Sequence, residues 1–395
     1  MFRRFRTDLL PFQIVMTVTS AAIGGIIALV GELRDVMGFS EMAIGVVVAA
    51  GFLGSFVAQT LFSRLADMGH GRRMATIGVA LSSLAMLTMT IADDLWLWIS
   101  SRGLLGFAVG LAVPGVRRAA SVADPERVGE NLGRMVVGDM TGFILGPVGA
   151  AALAQVFGFR APFIVLTIGL ALFLPFVSRL PADQGELDDS GRKNSFDLLR
   201  IRRLQGALLL VVGYFALIGA WESVMPVMFA DRGGTPLLTG LAFTLLGVPM
   251  ILFSTAAGRA ADRLGPPRVA AGALTIIAIA TMSYGFIKPF VAIIAVQGVL
   301  GIADAFGFTA NQVAVSRAVP EDRQAAALGL MGAAQVFAAG VFAFPAAALY
   351  QRAGEEITWA TVGLVMLVLI GLGVARLRGT APVSSTALTQ VEIPL

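Results

Sequence analysis

Apolar residues run in long blocks along this chain, and charged residues fall mostly between the blocks. Twelve blocks are long enough for a bilayer-crossing helix, which needs roughly 20 mainly apolar residues. They span 11–33, 41–63, 74–92, 95–114, 131–156, 161–179, 205–229, 237–258, 268–287, 290–313, 324–350 and 357–375. In hydrocarbon a helix satisfies its own backbone whereas an isolated strand does not, so each block predicts a helix. The first block is too long for a signal-peptide core and no small-residue cleavage site follows it, so it reads as a retained helix. The longest polar stretch, 180–204, separates the sixth block from the seventh. Within it Phe196, Leu198, Leu199 and Ile201, set among charges, predict a short helix lying on the membrane surface. The expected fold is an all-α membrane protein of twelve transmembrane helices in two pseudo-symmetric six-helix bundles. The bundles cover 1–179 and 205–378, with a linker at 180–204 and a tail at 379–395.

The basic residues orient this array. With the N-terminus inside, 23 of the 29 lysines and arginines fall in inside segments, and only Arg34, Arg160, Arg232, Lys288 and Arg352 fall outside. The positive-inside rule then puts both termini in the cytoplasm. Only Lys193 and Lys288 are lysine, which suggests a GC-rich bacterial genome and hence the inner membrane of a bacterium. The charged fraction of 14% is well below the roughly 25% of soluble domains. There is no cysteine and the one histidine is His70, which excludes disulfides, thiolate sites and multi-histidine metal sites. The net charge of +4 is scattered between apolar blocks rather than gathered on one face, so nucleic acid is not an expected partner. No nucleotide loop, catalytic triad or zinc pattern is present, so neither an enzyme nor an ATP-driven pump is expected, and no cofactor.

The halves repeat at an offset of 195. Ser63-Arg-Leu-Ala-Asp67-Met-Gly-His-Gly-Arg72-Arg73 follows the second block, and Gly258-Arg-Ala-Ala-Asp262-Arg263-Leu-Gly265 follows the eighth. Arg102-Gly-Leu-Leu-Gly106 in the fourth block likewise maps onto Gln297-Gly-Val-Leu-Gly301 in the tenth. Duplicated halves with a site between them near the midplane are how many secondary transporters are built. Over essentially its whole length the chain resembles the major facilitator superfamily. The 63–73 segment is similar to that family's G-x-L-x-D-R-x-G-R-R loop, departing at Ser63 and Met68 and carrying the extra His70. Arg102 with Gly106 and Gly110 resembles the helix 4 signature. In helix 5, Gly133, Gly142, Gly146 and Pro147 match the spacing associated with drug–proton antiporters, although Ala150 and Ala151 replace its closing glycines.

The resemblance implies that Asp67, Arg72 and Arg73, with Asp262 and Arg263, form a cytoplasmic latch. The alternative is a charged interfacial turn that merely sets topology. Gly69 and Gly71 would supply positive φ to that turn. The glycines of helix 5 predict close helix packing, and Pro147 a bend.

Intramembrane ionisable residues are costly and therefore functional candidates. They are Arg102, Asp139, Glu222 and Asp304, with Glu32 near the outer end of helix 1. Helical rise places Arg102 and Asp139 about 7 Å apart in height, so the expected partner of Arg102 is Asp139 first and Glu32 second. A carboxylate balanced between burial and an arginine can exchange a proton. Alternatives are a static ion pair for Asp139, hydrogen bonds to Asp304 from Gln297, Asn311 and Gln312, and contact of Glu222 with a cationic substrate. Family pattern makes Gln13, Thr17, Ser20 and Gln335 the polar cavity candidates, and Tyr214, Phe215, Trp221, Met225, Met331 and Phe337 the apolar ones. The expected function is proton-coupled efflux of small lipophilic or cationic compounds by a monomer. The alternatives are proton-linked transport of a specific metabolite, siderophore or lipid, and a membrane sensor that transports nothing.

Overall fold

Burying every backbone hydrogen bond inside its own segment leaves helices as the elements of such a chain, and the computed structural model consists of them. It describes residues 10–123, 128–179 and 195–378. The expectations for 180–194 and 379–395 lie outside the described residues. The helices are α1 (Leu10–Met37), α2 (Glu41–Leu65), α3 (Gly71–Ile91), α4 (Leu95–Ala123), α5 (Val128–Phe157), α6 (Ala161–Val177), α7 (Arg202–Asp231), α8 (Pro236–Leu264), α9 (Pro266–Ser283), α10 (Phe290–Ser316) and α11 (Gln324–Leu377). Local chemistry sets several starts. Ser40 accepts a hydrogen bond from the Ala43 N–H to open α2, and Thr235 accepts one from the Leu238 N–H ahead of Pro236 in α8.

Ten of these helices are long and apolar enough to cross a bilayer, and α6 is a shorter apolar one. At 1.5 Å per residue the 54 residues of α11 would stretch about 80 Å, more than twice a hydrocarbon core. Gly354 resolves the excess. Its φ of 76° and ψ of −177° break the helix there, into arms 324–353 and 355–377 that cross in opposite directions. The described chain thus makes twelve crossings. Arg34 at the end of α1 meets Asp231 at the end of α7, and Arg376 near the end of α11 meets Gln205 at the start of α7. Both described chain ends therefore lie on one face, called here the terminal face. Large apolar side chains such as Leu61, Val156, Leu172, Leu252 and Val299 stand uncovered on the outside of the bundle, as lipid permits and water does not.

One apolar core is drawn from α1 to α6 and centres on residues such as Met16, Leu29, Ile44, Met86, Trp98 and Phe163. A second, drawn from α7 to α11, includes Met228, Phe229, Leu274, Ile293 and Trp359. Three residues cross over: Val227 and Ala343 pack into the first core and Ile27 into the second. The groups meet along α2 with α11, α5 with α8, and α1 with α7.

Two local segments add detail. Residues Ser195–Arg200 form a short 3₁₀ helix. Leu198 is buried against Leu204, Val315 and Val319, and Arg323 grips the Asp197 carboxylate at 2.8 and 3.2 Å. Leu198 is thus covered by protein, whereas Phe196 and Leu199 remain exposed. Between α2 and α3 the chain kinks within Ala66–His70, where Met68 and Gly69 leave helical φ/ψ. Gly69 alone takes positive φ there, 84°, whereas Gly71 is helical at −51°. The role of Gly71 is close packing, since a Cβ on it would press on Gly115 O at 3.3 Å.

Candidate translocation site

The centre of the site is Arg102 on α4, 4% exposed. Its guanidinium lies over Gly51 of α2, where a Cβ would stand 2.8 Å from Nε. That glycine leaves a slot through which the side chain passes towards α7. There Arg102 Nη2 faces Glu222 Oε2 at 3.7 Å, and Glu222 is also 4% exposed. This corrects the expectation that Arg102 pairs with Asp139 or Glu32: the Gly51 slot points the arginine at the other core. Asp139 is met by Arg117 at 3.6 Å and by the hydroxyl of Ser20, which donates to it. Glu32 is partly buried near the opposite face, and its Oε2 has no hydrogen-bond partner among the described residues.

The Arg102–Glu222 contact is an ion pair too long to be a hydrogen bond. Arg102 Nε and Glu222 Oε2 both lack hydrogen-bond partners among the described residues. A buried pair this loose offsets the desolvation of its charges poorly. It is also the one described ion pair that joins the two cores near mid-depth.

Asp304 on α10, 5% exposed, sits inside the second core beside Tyr214. No hydrogen bond from Gln297 or Asn311 to it is found among the described residues, and both amide atoms of Gln297 are themselves buried without partners.

The cavity candidates scatter. Thr17 donates to Gln13 O at 2.9 Å and Gly138 O at 3.0 Å, while Gln13 donates to Arg134 O at 3.3 Å, so both tie α1 to α5. Met225 and Met331 are buried in apolar cores. Trp221 packs on Phe243 with ring centres 4.0 Å apart, and Tyr214 on Phe215 at 5.3 Å. Phe337 is exposed and tilts against Phe56 of α2 at 5.0 Å, and Gln335 is half-buried nearby.

Helix 5 behaves as its glycines suggest. A Cβ at Gly138 would stand 2.7 Å from Gln13 O, and one at Gly146 2.8 Å from Ala21 Cα; Gly142 packs as closely on Thr17. Gly133 lies in α5, outside the residues whose surroundings are described. Pro147 serves the seam between cores, its carbonyl lying 2.8 Å from where a Gly240 Cβ would be. Thr244 of α8 donates to Ile144 O beside it at 2.6 Å.

The side chain of Asp67 lies outside the described residues, and Arg72, Arg73 and Arg263 are exposed. Asp262 pairs with Arg317, just past the end of α10, at 2.7 Å, inside its own core group. The described ion pairs Arg117–Asp139, Arg317–Asp262 and Arg323–Asp197 on the terminal face also stay within one group each. On the opposite face two contacts cross the groups, Arg34 to Asp231 and Met42 to Gln351, braced by Glu41 and Tyr350 from within their own groups. Arg34 Nη1 holds Asp231 at 2.6 Å and Glu41 at 3.4 Å, the Tyr350 hydroxyl donates to Asp231 at 2.6 Å, and the Met42 N–H donates to Gln351 at 3.1 Å. Beneath this clasp a Cβ on Gly31 would stand 2.5 Å from Pro226 O, and one on Gly45 2.6 Å from Ala347 Cβ. The sequence reading passed over this clasp by treating Arg34 only as an orienting charge. The available signal was a charge ending each of α1 and α7. Further along the same face Lys288 binds Glu355 at 2.6 Å and Glu356 at 3.2 Å, and these bonds hold its ammonium above the usual lysine range.

The Major Facilitator Superfamily model matches the chain twice, over residues 12–228 and 210–393. The chain belongs to the major facilitator superfamily. It is 25% identical to the multidrug resistance protein MdtG of Citrobacter koseri over 290 residues, 69% of this chain and 70% of that one. To the MdtG protein of Serratia proteamaculans it is 26% identical over 279 residues, 67% and 66% of the two chains. Among solved structures, a bacterial homologue of the human lysosomal transporter Spinster, inward-facing and occupied, superposes with a TM-score of 0.77 at 11% identity, covering 96% of this chain and 98% of that one. A D-xylose–proton symporter superposes at 0.74 with 15% identity, covering 93% and 97%. The structural likenesses are likenesses of fold. The chain is therefore a multi-pass inner-membrane transporter of this superfamily and not an enzyme.

Proposed function

We propose that the chain exports small lipophilic or cationic compounds in exchange for protons, as a monomer, by alternating access of two six-helix bundles at 1–179 and 205–378. The buried Arg102–Glu222 pair across the two cores carries this reading. Protonating Glu222 removes the only anion facing Arg102 in that pair, and an unpaired buried guanidinium costs several kcal/mol. A conformation that lets water reach Arg102 then becomes the favoured one. Deprotonation restores the pair and draws the cores together. The relatives' name, multidrug resistance protein, supports a drug-like cargo, and the positive-inside pattern supports a cytoplasmic terminal face. In that orientation the Arg34–Asp231 clasp shuts the outer mouth. Asp67, Asp262 and their arginines then belong to the inner gate of the opposite state.

Reconstitution in liposomes with an imposed pH gradient and ethidium as probe tests the reading. The native chain should accumulate ethidium against its gradient. Glu222→Gln should keep ethidium exchange while losing gradient-driven accumulation. Accumulation at the native rate in Glu222→Gln would refute Glu222 as the coupling acid. Gradient-driven movement of one nucleoside or sugar, with ethidium untouched, would favour a metabolite carrier.

A further inference from the structure

Within the second core α7 to α10 line a small chamber. It is lined by Tyr214 and Trp221 of α7, Leu246 of α8, Thr281 of α9, Tyr284 just beyond it, and Asp304 of α10, with other apolar residues. Its volume of about 20 Å³ is enough for one water molecule. Asp304 is the one charged residue in the lining, which from α7 and the end of α9 also holds the hydroxyl-bearing residues Tyr214, Thr281 and Tyr284, with Tyr214 hydrogen-bonded to Asp304. From α8 it meets Leu246, and α11 adds nothing to the lining.

Two atoms in this chamber are buried without hydrogen-bond partners among the described residues, Asp304 Oδ1 and Thr281 Oγ1. Thr281 is 1% exposed. Buried polar atoms left without partners in the lining of one chamber call for a guest such as a water. A carboxylate without a counter-charge is too costly to keep in such a place, so a cation must accompany it. A metal ion needs a shell of oxygens, and the helical carbonyls here are used in their own ladders. A proton needs only one oxygen and a relay.

We propose that this chamber is a second proton-binding site of the carrier, separate from the Arg102–Glu222 pair, in which one water bridges Asp304 Oδ1 and Thr281 Oγ1. Loading transfers a proton from hydronium to Oδ1: one O–H bond of hydronium breaks, the carboxyl O–H forms, and a water remains in the chamber. Release is the reverse transfer to water. With Glu222, this gives the carrier two exchangeable protons, one between the cores and one within the second. The role in transport rests on the function proposed above; the protonation itself does not.

Infrared difference spectroscopy on the reconstituted full chain, cycled between about pH 5 and 9 in sodium-free buffer, reads the carboxylic acid carbonyl directly. The expected result is a buried acid band that grows on acidification and is lost in Asp304→Asn, while a separate band is lost in Glu222→Gln. Thr281→Val should shift the Asp304 band without removing it. Should Asp304→Asn fail to insert, Asp304→Glu should move the band. A spectrum unchanged in the Asp304 variants, or an Asp304 band constant over the whole range, overturns the proposal. So does displacement of the band when choline is exchanged for sodium, which would mark a metal-ion site instead. Failure of gradient-driven ethidium transport with these bands intact would count against the exporter reading alone.

Discussion

Arg102 shows how much one missing methyl group decides. Gly51 leaves room for the guanidinium, and that room sends it across to Glu222. Gly51→Val should displace the arginine and cut gradient-driven transport several-fold while leaving membrane insertion intact, measured by liposome flux beside expression in the membrane fraction. Arg102→Leu strands the Glu222 carboxylate, and removing one partner of a buried pair destabilises by about 3–5 kcal/mol. The melting midpoint in detergent should fall sharply in that variant and largely recover when Glu222→Gln is added. The charges themselves were legible in the sequence, because an ionised residue inside an apolar block stands out. Their partners were not. Height along a helix follows from counting residues, and it placed Arg102 near Asp139. The direction a side chain faces depends on how each helix is rotated about its axis, which Gly51 and the α2–α4 packing determine. Asp139 at a suitable height simply faces Arg117 and Ser20.

The helices are the scale at which the sequence spoke most clearly, since a bilayer demands about 20 apolar residues per crossing and little else in a chain looks like that. Crossings eleven and twelve were read as separate blocks, 324–350 and 357–375, and they are the two arms of α11. What the pattern did not show was that a single residue joins them. Gly354 adopts a backbone geometry that is nearly glycine-only, and such positions cost about 1–3 kcal/mol when filled by other residues. Gly354→Ala should lower the melting midpoint by several degrees while leaving the ratio of protons to ethidium unchanged. What covers the linker's short helix was not legible for a related reason. Composition shows that Leu198 wants cover, but not whether lipid or the ends of α10 and α11 will supply it.

For the molecule as a whole, the clasp of Arg34, Asp231 and Tyr350 holds the two cores together on the face opposite the termini. The chain has no cysteine of its own, so a single introduced one reports cleanly. In Ala28→Cys, which lies 2% exposed below the clasp, a membrane-impermeant maleimide added outside should label slowly. Adding Arg34→Ala should raise that labelling several-fold, and equal labelling in both backgrounds would mean that the clasp does not gate. Separating the cores must also uncover Ile27, Val227 and Ala343, which each half lends to the other's interior. Stripping a fully buried valine or isoleucine of its neighbours costs about 1.5–3 kcal/mol apiece in water. An oily guest resting on those three would supply the missing neighbours, while a sugar would not. Under the exporter reading proposed above, the swap that knits the resting halves would double, once they part, as a greasy shelf for an oily passenger.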